Sequence, residues 1–511
     1  MQPAARMIQR PARIAFLLTA GFAAACHQSS GSGTGGSGTD STRDGGGPGP
    51  AAGCAGLSPG KWVATSAAGA PTPGYQRFTI WTGRELLLFT PTEGAAFEPC
   101  ANRWRRLSID GMPPQLPEAQ STGYTPVILA GERVIVLYPP QPANPSAFMP
   151  VTAVIYDIAS DRWSSLPLGG AAPAPRTGAV TIWTGRELIV WGGAILDEGS
   201  MPPAPRLADD GARLDPATGK WTPMAKAGAP SARVDGRAVW TGSRLLVYGC
   251  VASPYYCYLT PRPCPAATGG SMYDPATDTW TPISSEGAPA PPADMPYTRL
   301  LWTGKRMIAW GGAAAGQQGV FDPAANRWES MGDLAGVPPG DALRMGAAWV
   351  EGDRFVMVSQ AWTAAAVFDL ERRRWTPVSG TPPQLSGYGG TIAGDDGRML
   401  AILARQTSAG LSMPQNLRGG FIARVDPLAA RWELAELPEM GSPYSIVTQT
   451  VAWTGTRLIF WGGSSEEFDP MGDSGCSGMR PPNLGCDPHI PTKTVFSAEG
   501  GMLTPAFART N

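Results

Sequence analysis

Ile182-Trp183-Thr184-Gly185-Arg186-Glu187-Leu188-Ile189-Val190-Trp191-Gly192-Gly193 is the clearest copy of a pattern that recurs down the whole chain. A short apolar run leads into Thr-Gly, and a second apolar run follows. Glycine supplies the positive φ of a tight turn, so the stretch predicts a β-hairpin. The second run, Leu188 to Trp191, has no polar alternation and therefore predicts a strand buried on both faces. The Gly192-Gly193 pair then ends that strand where side chains would crowd the backbone, and Gly311-Gly312 and Gly462-Gly463 repeat the device. Related segments begin near Ile80, Leu129, Val239, Leu301, Trp349, Thr391 and Ala452, which makes eight copies. The turn glycines, from Gly83 to Gly455, are spaced by 42 to 62 residues.

Seven of the eight copies are followed by a second hairpin signal, best seen in Tyr273-Asp274-Pro275-Ala276-Thr277-Asp278-Thr279-Trp280. Variants end at Trp104, Trp163, Trp221, Trp328, Trp375 and Trp432. The Asp side chain accepts from backbone amides just after it, and Pro presets φ for the turn. The tryptophan opens an outer strand and can cover the seam to a neighbouring sheet. Two hairpins per unit give four strands per unit. The double glycine, the aromatic before Asp-Pro and the closing tryptophan resemble kelch repeats, whose period is about 50 residues. The resemblance runs from Leu57 to about Gly463. It implies an all-β fold, a kelch-type β-propeller of stacked four-stranded blades.

The repeat count gives eight blades. Leu57-Ser58-Pro59-Gly60-Lys61-Trp62 matches Leu214 to Trp221 with two residues deleted, so the ring is expected to be closed by an N-terminal outer strand that completes the last blade. Such closure removes free sheet edges. Val495 to Met502, followed by Thr504-Pro505, offers another way to close that blade, and seven blades with one unit outside the ring is the alternative.

The amino terminus reads as an export signal. Arg6, Arg10 and Arg13 precede an apolar stretch, Ile14 to Ala25, that is short for a bilayer span. It ends in Ala23-Ala24-Ala25-Cys26, which resembles a bacterial lipobox and implies lipidation of Cys26; ordinary cleavage after the small residues is the other reading. By the same resemblance, the lack of Asp after Cys26 implies outer-membrane sorting. His27 to Ala52 is almost entirely Gly, Ser, Thr, Pro and Asp, a composition that cannot bury a core and suits a tether. The expected organisation is signal peptide 1–25, flexible tether 26–56 and propeller 57–511. The protein is then an exported lipoprotein of the outer membrane or cell surface, touching the membrane through its lipid anchor only.

Removing Cys26 leaves Cys54, Cys100, Cys250, Cys257, Cys264, Cys476 and Cys486, an odd number in a compartment where disulfides persist. Cys476 with Cys486, Cys54 with Cys100, and one pair among Cys250, Cys257 and Cys264 are the candidate bridges. No two cysteines have the spacing of a zinc knuckle, so no metal is expected. The chain has two histidines, His27 in the tether and His489 in a late loop. That supply cannot furnish the two histidine ligands of the galactose-oxidase copper site, which related propellers carry. Gly472-Asp473-Ser474-Gly475 superficially matches a serine nucleophile loop but reads as a turn, and the Gly31 to Gly36 run lies in the tether. No catalytic residue and no cofactor are assigned. With 40 Lys and Arg against 41 Asp and Glu, nothing marks a nucleic-acid surface.

A monomeric binding or scaffold module for a protein or glycan is the reading these features favour. A carbohydrate-active isomerase similar to the kelch-like sialic-acid mutarotases is the alternative. By resemblance to kelch adaptor domains that capture acidic peptides, Arg176, Arg233 and Arg344 are candidate ligand contacts; the same residues could instead cap loop carbonyls. Insertions at Pro139 to Pro150, Ala194 to Ala208 and Ser253 to Ala267 are candidate carriers of specificity.

Overall fold

The computed structural model describes residues 58–72, 78–112, 127–138, 152–166, 171–174, 176, 178–197, 204–233, 236–250, 269–289, 299–310, 318–332, 348–359, 364–380, 389–393, 399–404, 420–437, 450–454, 456–462, 464–467, 493–496 and 500–509. Regular structure among them is entirely β. No helix among the described residues is long and apolar enough to cross a membrane.

Phe78–Trp81, Leu86–Phe89, Gly94–Glu98 and Arg103–Leu107 pair antiparallel in that order and form blade 1. Blades 2 to 7 repeat the arrangement. Their innermost strands are Val127–Ala130, Val180–Trp183, Gly236–Trp240, Arg299–Trp302, Ala348–Glu351 and Gly389–Ala393. Blade 7 gains a fifth strand, Ala508–Arg509, on its outer edge. Blade 8 contains Thr450–Trp453, Leu458–Trp461 and Gly500–Leu503, and its outer strand is Trp62–Ala64 from the other end of the chain. Trp62 lies opposite Leu503, and Ala64 opposite Gly501. The Val495 to Met502 stretch therefore contributes to the third strand rather than the fourth.

Packing follows from the sequence pattern. The second strand of a blade lies between neighbours on both faces, and all four positions of Leu86–Phe89, Leu188–Trp191, Met307–Trp310 and Leu458–Trp461 are buried. Outer strands alternate instead, with Trp104 and Trp163 turned in and Arg103 and Arg162 turned out. The buried side chains form eight clusters, each straddling two blades. One joins Leu188 and Trp221 of blade 3 to Ile135 and Ile155 of blade 2. Another joins Ile459, Trp461 and Met502 of blade 8 to Leu86, Phe97 and Trp104 of blade 1, so the seams run round a closed ring. Burying one such side chain is worth about 1.5–3 kcal/mol, and the β-propeller is held chiefly by these seams.

The seams entered by blades 2, 4 and 5 also carry a polar latch. Two residues before its tryptophan, a blade places Asn102, Asp161, Asp278, Asn326, Arg373 or Ala430 at positive φ. Asn and Asp tolerate that conformation and offer a side-chain acceptor. Asp278 Oδ1 accepts the backbone N–H of Ala225, the residue that leaves blade 3, at 3.0 Å. The Ala225 carbonyl in turn accepts from Trp280 Nε1 at 2.8 Å. Asp161 and Trp163 grip Ser108 in the same way at 2.8 and 3.1 Å, and Asn326 and Trp328 grip Ser284 at 3.0 and 2.8 Å. Tyr273 donates its hydroxyl to the same Asp278 oxygen at 2.6 Å. Burial, reinforced by that hydrogen bond, pushes the Tyr273 hydroxyl up, so it stays a donor.

Ion pairs tie the inner turns to the outer strands. Glu85 receives two hydrogen bonds from Arg105, at 3.1 and 2.8 Å, and these hold its carboxyl below the ordinary glutamate range. Asp157 is held low by the backbone amide and hydroxyl of Ser160.

Two outcomes are expected. Asp278→Asn should leave the urea midpoint almost unchanged, because Asn serves this position in two other blades. Asp278→Val should cost about 1–3 kcal/mol, the price of leaving the buried Ala225 donor unpaired. The carboxylates Glu85 and Asp157 have folded-state pKa values below their unfolded ones, so their contribution is complete above the ordinary carboxylate range and is lost as pH falls through the lowered values. Thermal stability should fall on acidification through that range, and Glu85→Gln should make the fall shallower.

Candidate functional site: the long-loop face and the edge of the channel

Strands alternate in direction within a blade, so the first-to-second and third-to-fourth turns share one face of the ring. That face is built of tight turns. Thr184-Gly185-Arg186-Glu187 closes on itself through Thr184 N–H to the Glu187 carbonyl at 3.0 Å, and Thr82, Thr241, Thr303 and Thr454 do the same. The second-to-third connections and the blade-to-blade crossovers share the opposite face. In blade 3 the connection rises as a two-stranded ribbon, Ala194–Asp197 paired with Ala204–Leu207. In blade 8 a second ribbon pairs Ser464–Glu467 with Lys493–Phe496. The expected insertion at Ala194 to Ala208 is thus that first ribbon. Those at Pro139 to Pro150 and Ser253 to Ala267 lie outside the described residues, as do Arg344, Cys26, Cys54, Cys257, Cys264, Cys476 and Cys486. Cys250 ends a strand of blade 4. Cys100 is disulfide-bonded.

Arg176 and Arg233 stand at matching places on this face, just ahead of the innermost strands of blades 3 and 4. Both are turned into the protein. The Arg176 side chain is 1% exposed. Its Nε donates to the Ala174 carbonyl at 2.8 Å, and Nη1 to the carbonyls of Gly192 at 3.1 Å and Asp210 at 3.0 Å, with Asp210 Oδ1 at 2.8 Å. Arg233 repeats the set on Ser231, Gly249 and Gly269 at 2.9, 3.0 and 3.1 Å. The planar fork of Arg suits several carbonyls at once. Each guanidinium therefore braces the end of a second strand against the residue that enters the third. Gly192 and Gly193 complete the bracing.

 Their φ values are 72° for Gly192 and 92° for Gly193, a conformation that only glycine adopts without strain. The Gly193 N–H reaches across the seam to the Arg233 carbonyl at 2.8 Å.

A different pair of arginines was not singled out by the sequence reading. Three residues before the tryptophan that ends the innermost strand, blades 1, 3 and 8 carry Phe78, Val180 and Thr450. Phe78 and Val180 fill the seam to the next blade. Blades 4 and 5 carry Arg237 and Arg299 there. Arg237 lies directly across the ladder from Tyr248, and Arg299 across from Trp310. The Arg299 guanidinium sits 5.9 Å from the Trp310 ring centroid. Arg237 is half-buried, and its Nε is buried with no hydrogen-bond acceptor. Burial pushes the Tyr248 hydroxyl up to about 12 against the opposing charge of Arg233. Aligning the five repeats that carry Trp-Thr-Gly is the signal that exposes both arginines. Among the described residues, no group of three or more His, Cys, Asp or Glu side chains is placed to hold a metal ion.

No protein-family model matches the chain, and no curated protein matches it by sequence. Among solved structures it is similar to a fungal alcohol oxidase of the AA5 family in complex with copper. The identity is 13%, the match covers 75% of this chain and 73% of that one, and the TM-score is 0.42. Nothing about the chemistry of this chain follows from that likeness.

Replacing Arg233 by Met should strand the buried Gly249 carbonyl, at about 1–3 kcal/mol, whereas the Gly269 carbonyl keeps the Gly249 N–H at 3.3 Å. Arg233→Lys should recover only part of the loss, because an ammonium cannot span the same acceptors. Urea midpoints of the two variants check this.

Proposed function

We propose that this chain is a kelch-type propeller of the bacterial cell envelope that binds a protein or glycan on its long-loop face. In this reading the protein is exported, lipidated at Cys26, held off the outer membrane by the tether, and monomeric. The observation that carries the binding role is the asymmetry of the two faces. One is closed by four-residue turns, whereas the other bears two β-ribbons on a rigid ring. Rigid scaffolds with decorated loops are the usual setting for recognition. Bracing by Arg176 and Arg233 supports the same reading, since it fixes the base of the connections from which ligand-contacting loops would rise. Cys54 joined to Cys100 would pin the tether to blade 1.

Replacing residues 195–206 by a short Gly-Ser turn tests the assignment. The variant should keep the parent's circular dichroism and thermal midpoint while losing its signal on a glycan array and on a panel of purified envelope proteins. Binding that survives removal of the ribbon, together with binding lost on changing the tight-turn face, overturns the assignment. Cys26→Ser should release the protein from the membrane fraction.

A further inference from the structure

We propose that Arg237 is the anchor of an oxyanion site at the seam between blades 4 and 5, on the edge of the central channel. This rests on the reading of the protein as a ligand binder and names the chemistry of what is bound.

The repeat itself supplies the control. Phe78 and Val180, at the same position in blades 1 and 3, are 5% and 4% exposed and pack into apolar seams. Phe78 stacks on Phe89 across the ladder with ring centroids 5.0 Å apart. A ring held by apolar seams has no structural need for a guanidinium here. In blade 4 the position nevertheless carries one, opposite Tyr248, whose ring contacts Trp328 of blade 5 at 4.8 Å. A guanidinium at an apolar seam costs stability unless its donors are met. The Nε of Arg237 is buried, and among the described residues no acceptor meets it.

Two further arginines flank it among the described residues. Arg299 holds the equivalent position on the next blade, and the two innermost strands are in contact. Arg233 lies on the other side: a Cβ added to Gly236, the residue before Arg237, would sit 3.2 Å from the Arg233 Cγ and Cδ. The positive potential of Arg233 and Arg299 adds to that of Arg237, and the Arg fork matches a planar carboxylate in a bidentate manner. The ligand class is therefore an oxyanion: a carboxylate foremost, or a sulfate or phosphate group of similar reach.

Thermal midpoints of the purified full chain in sodium glucuronate, sodium glutamate and sodium sulfate, each against sodium chloride at equal ionic strength, test the site. At least one oxyanion should raise the midpoint by several degrees above chloride. A larger shift with glucuronate identifies a sugar acid as the source of the group, with glutamate an amino-acid carboxylate, and with sulfate a sulfate ester. Arg237→Val, which restores the residue of blade 3, should abolish the shift while matching or exceeding the wild-type midpoint in chloride. Arg237→Gln is the second variant, and it too should lose the shift. If no oxyanion exceeds chloride, or if both variants keep the shift, the site is overturned. Glycan or protein binding that persists in that case leaves the binding role standing without it.

Discussion

The tryptophan at the head of each outer strand is the interaction on which the ring depends. It is wedged between two sheets, and in blades 2, 4, 5 and 6 the preceding blade accepts its indole N–H at the residue where that blade's chain departs. Apolar contact seals the seam, and the hydrogen bond fixes its register. Neither would suffice alone: a purely apolar seam could slide, and a single hydrogen bond contributes about 1 kcal/mol. With the same contact repeated round the ring, each blade is positioned by its neighbour. The two faces can then diverge without cost to the core.

The architecture was legible because its signals are local and redundant. Leu188 to Trp191 and Tyr273 to Trp280 each spell out a hairpin within a dozen residues, and repetition made the reading firm. The strand Trp62–Ala64 was also readable, because Gly60-Lys61-Trp62 keeps the form of Gly219-Lys220-Trp221. Its partner was harder. Gly500–Leu503 has no Asp-Pro turn, since its hairpin mate comes from the far end of the chain and no turn joins them.

Side-chain direction was not legible. Arg176 and Arg233 were recognised by type and spacing, which are the same for a cation facing a ligand and for one facing carbonyls. Only the fold shows that the carbonyls of Gly192 and Gly249 come within reach of those guanidinium groups. The role of the residue two before each tryptophan was hidden for a similar reason. Asp161 and Asp278 look like turn formers, yet each also binds the chain leaving the previous blade, a contact spanning more than fifty residues. Arg237 needed a comparison among repeats, because an arginine in a strand is unremarkable until its counterparts prove to be phenylalanine and valine.

The strand that completes blade 8 is also the first strand among the described residues, so chain entry and ring closure meet in three residues. Force that enters the ring along the backbone just ahead of Trp62 meets the pairing of Trp62 with Leu503 before it reaches another strand of the blade. The ring would yield there first, like a belt at its buckle. A pull along this backbone is thereby converted into opening of one predetermined seam, and the other seven are spared.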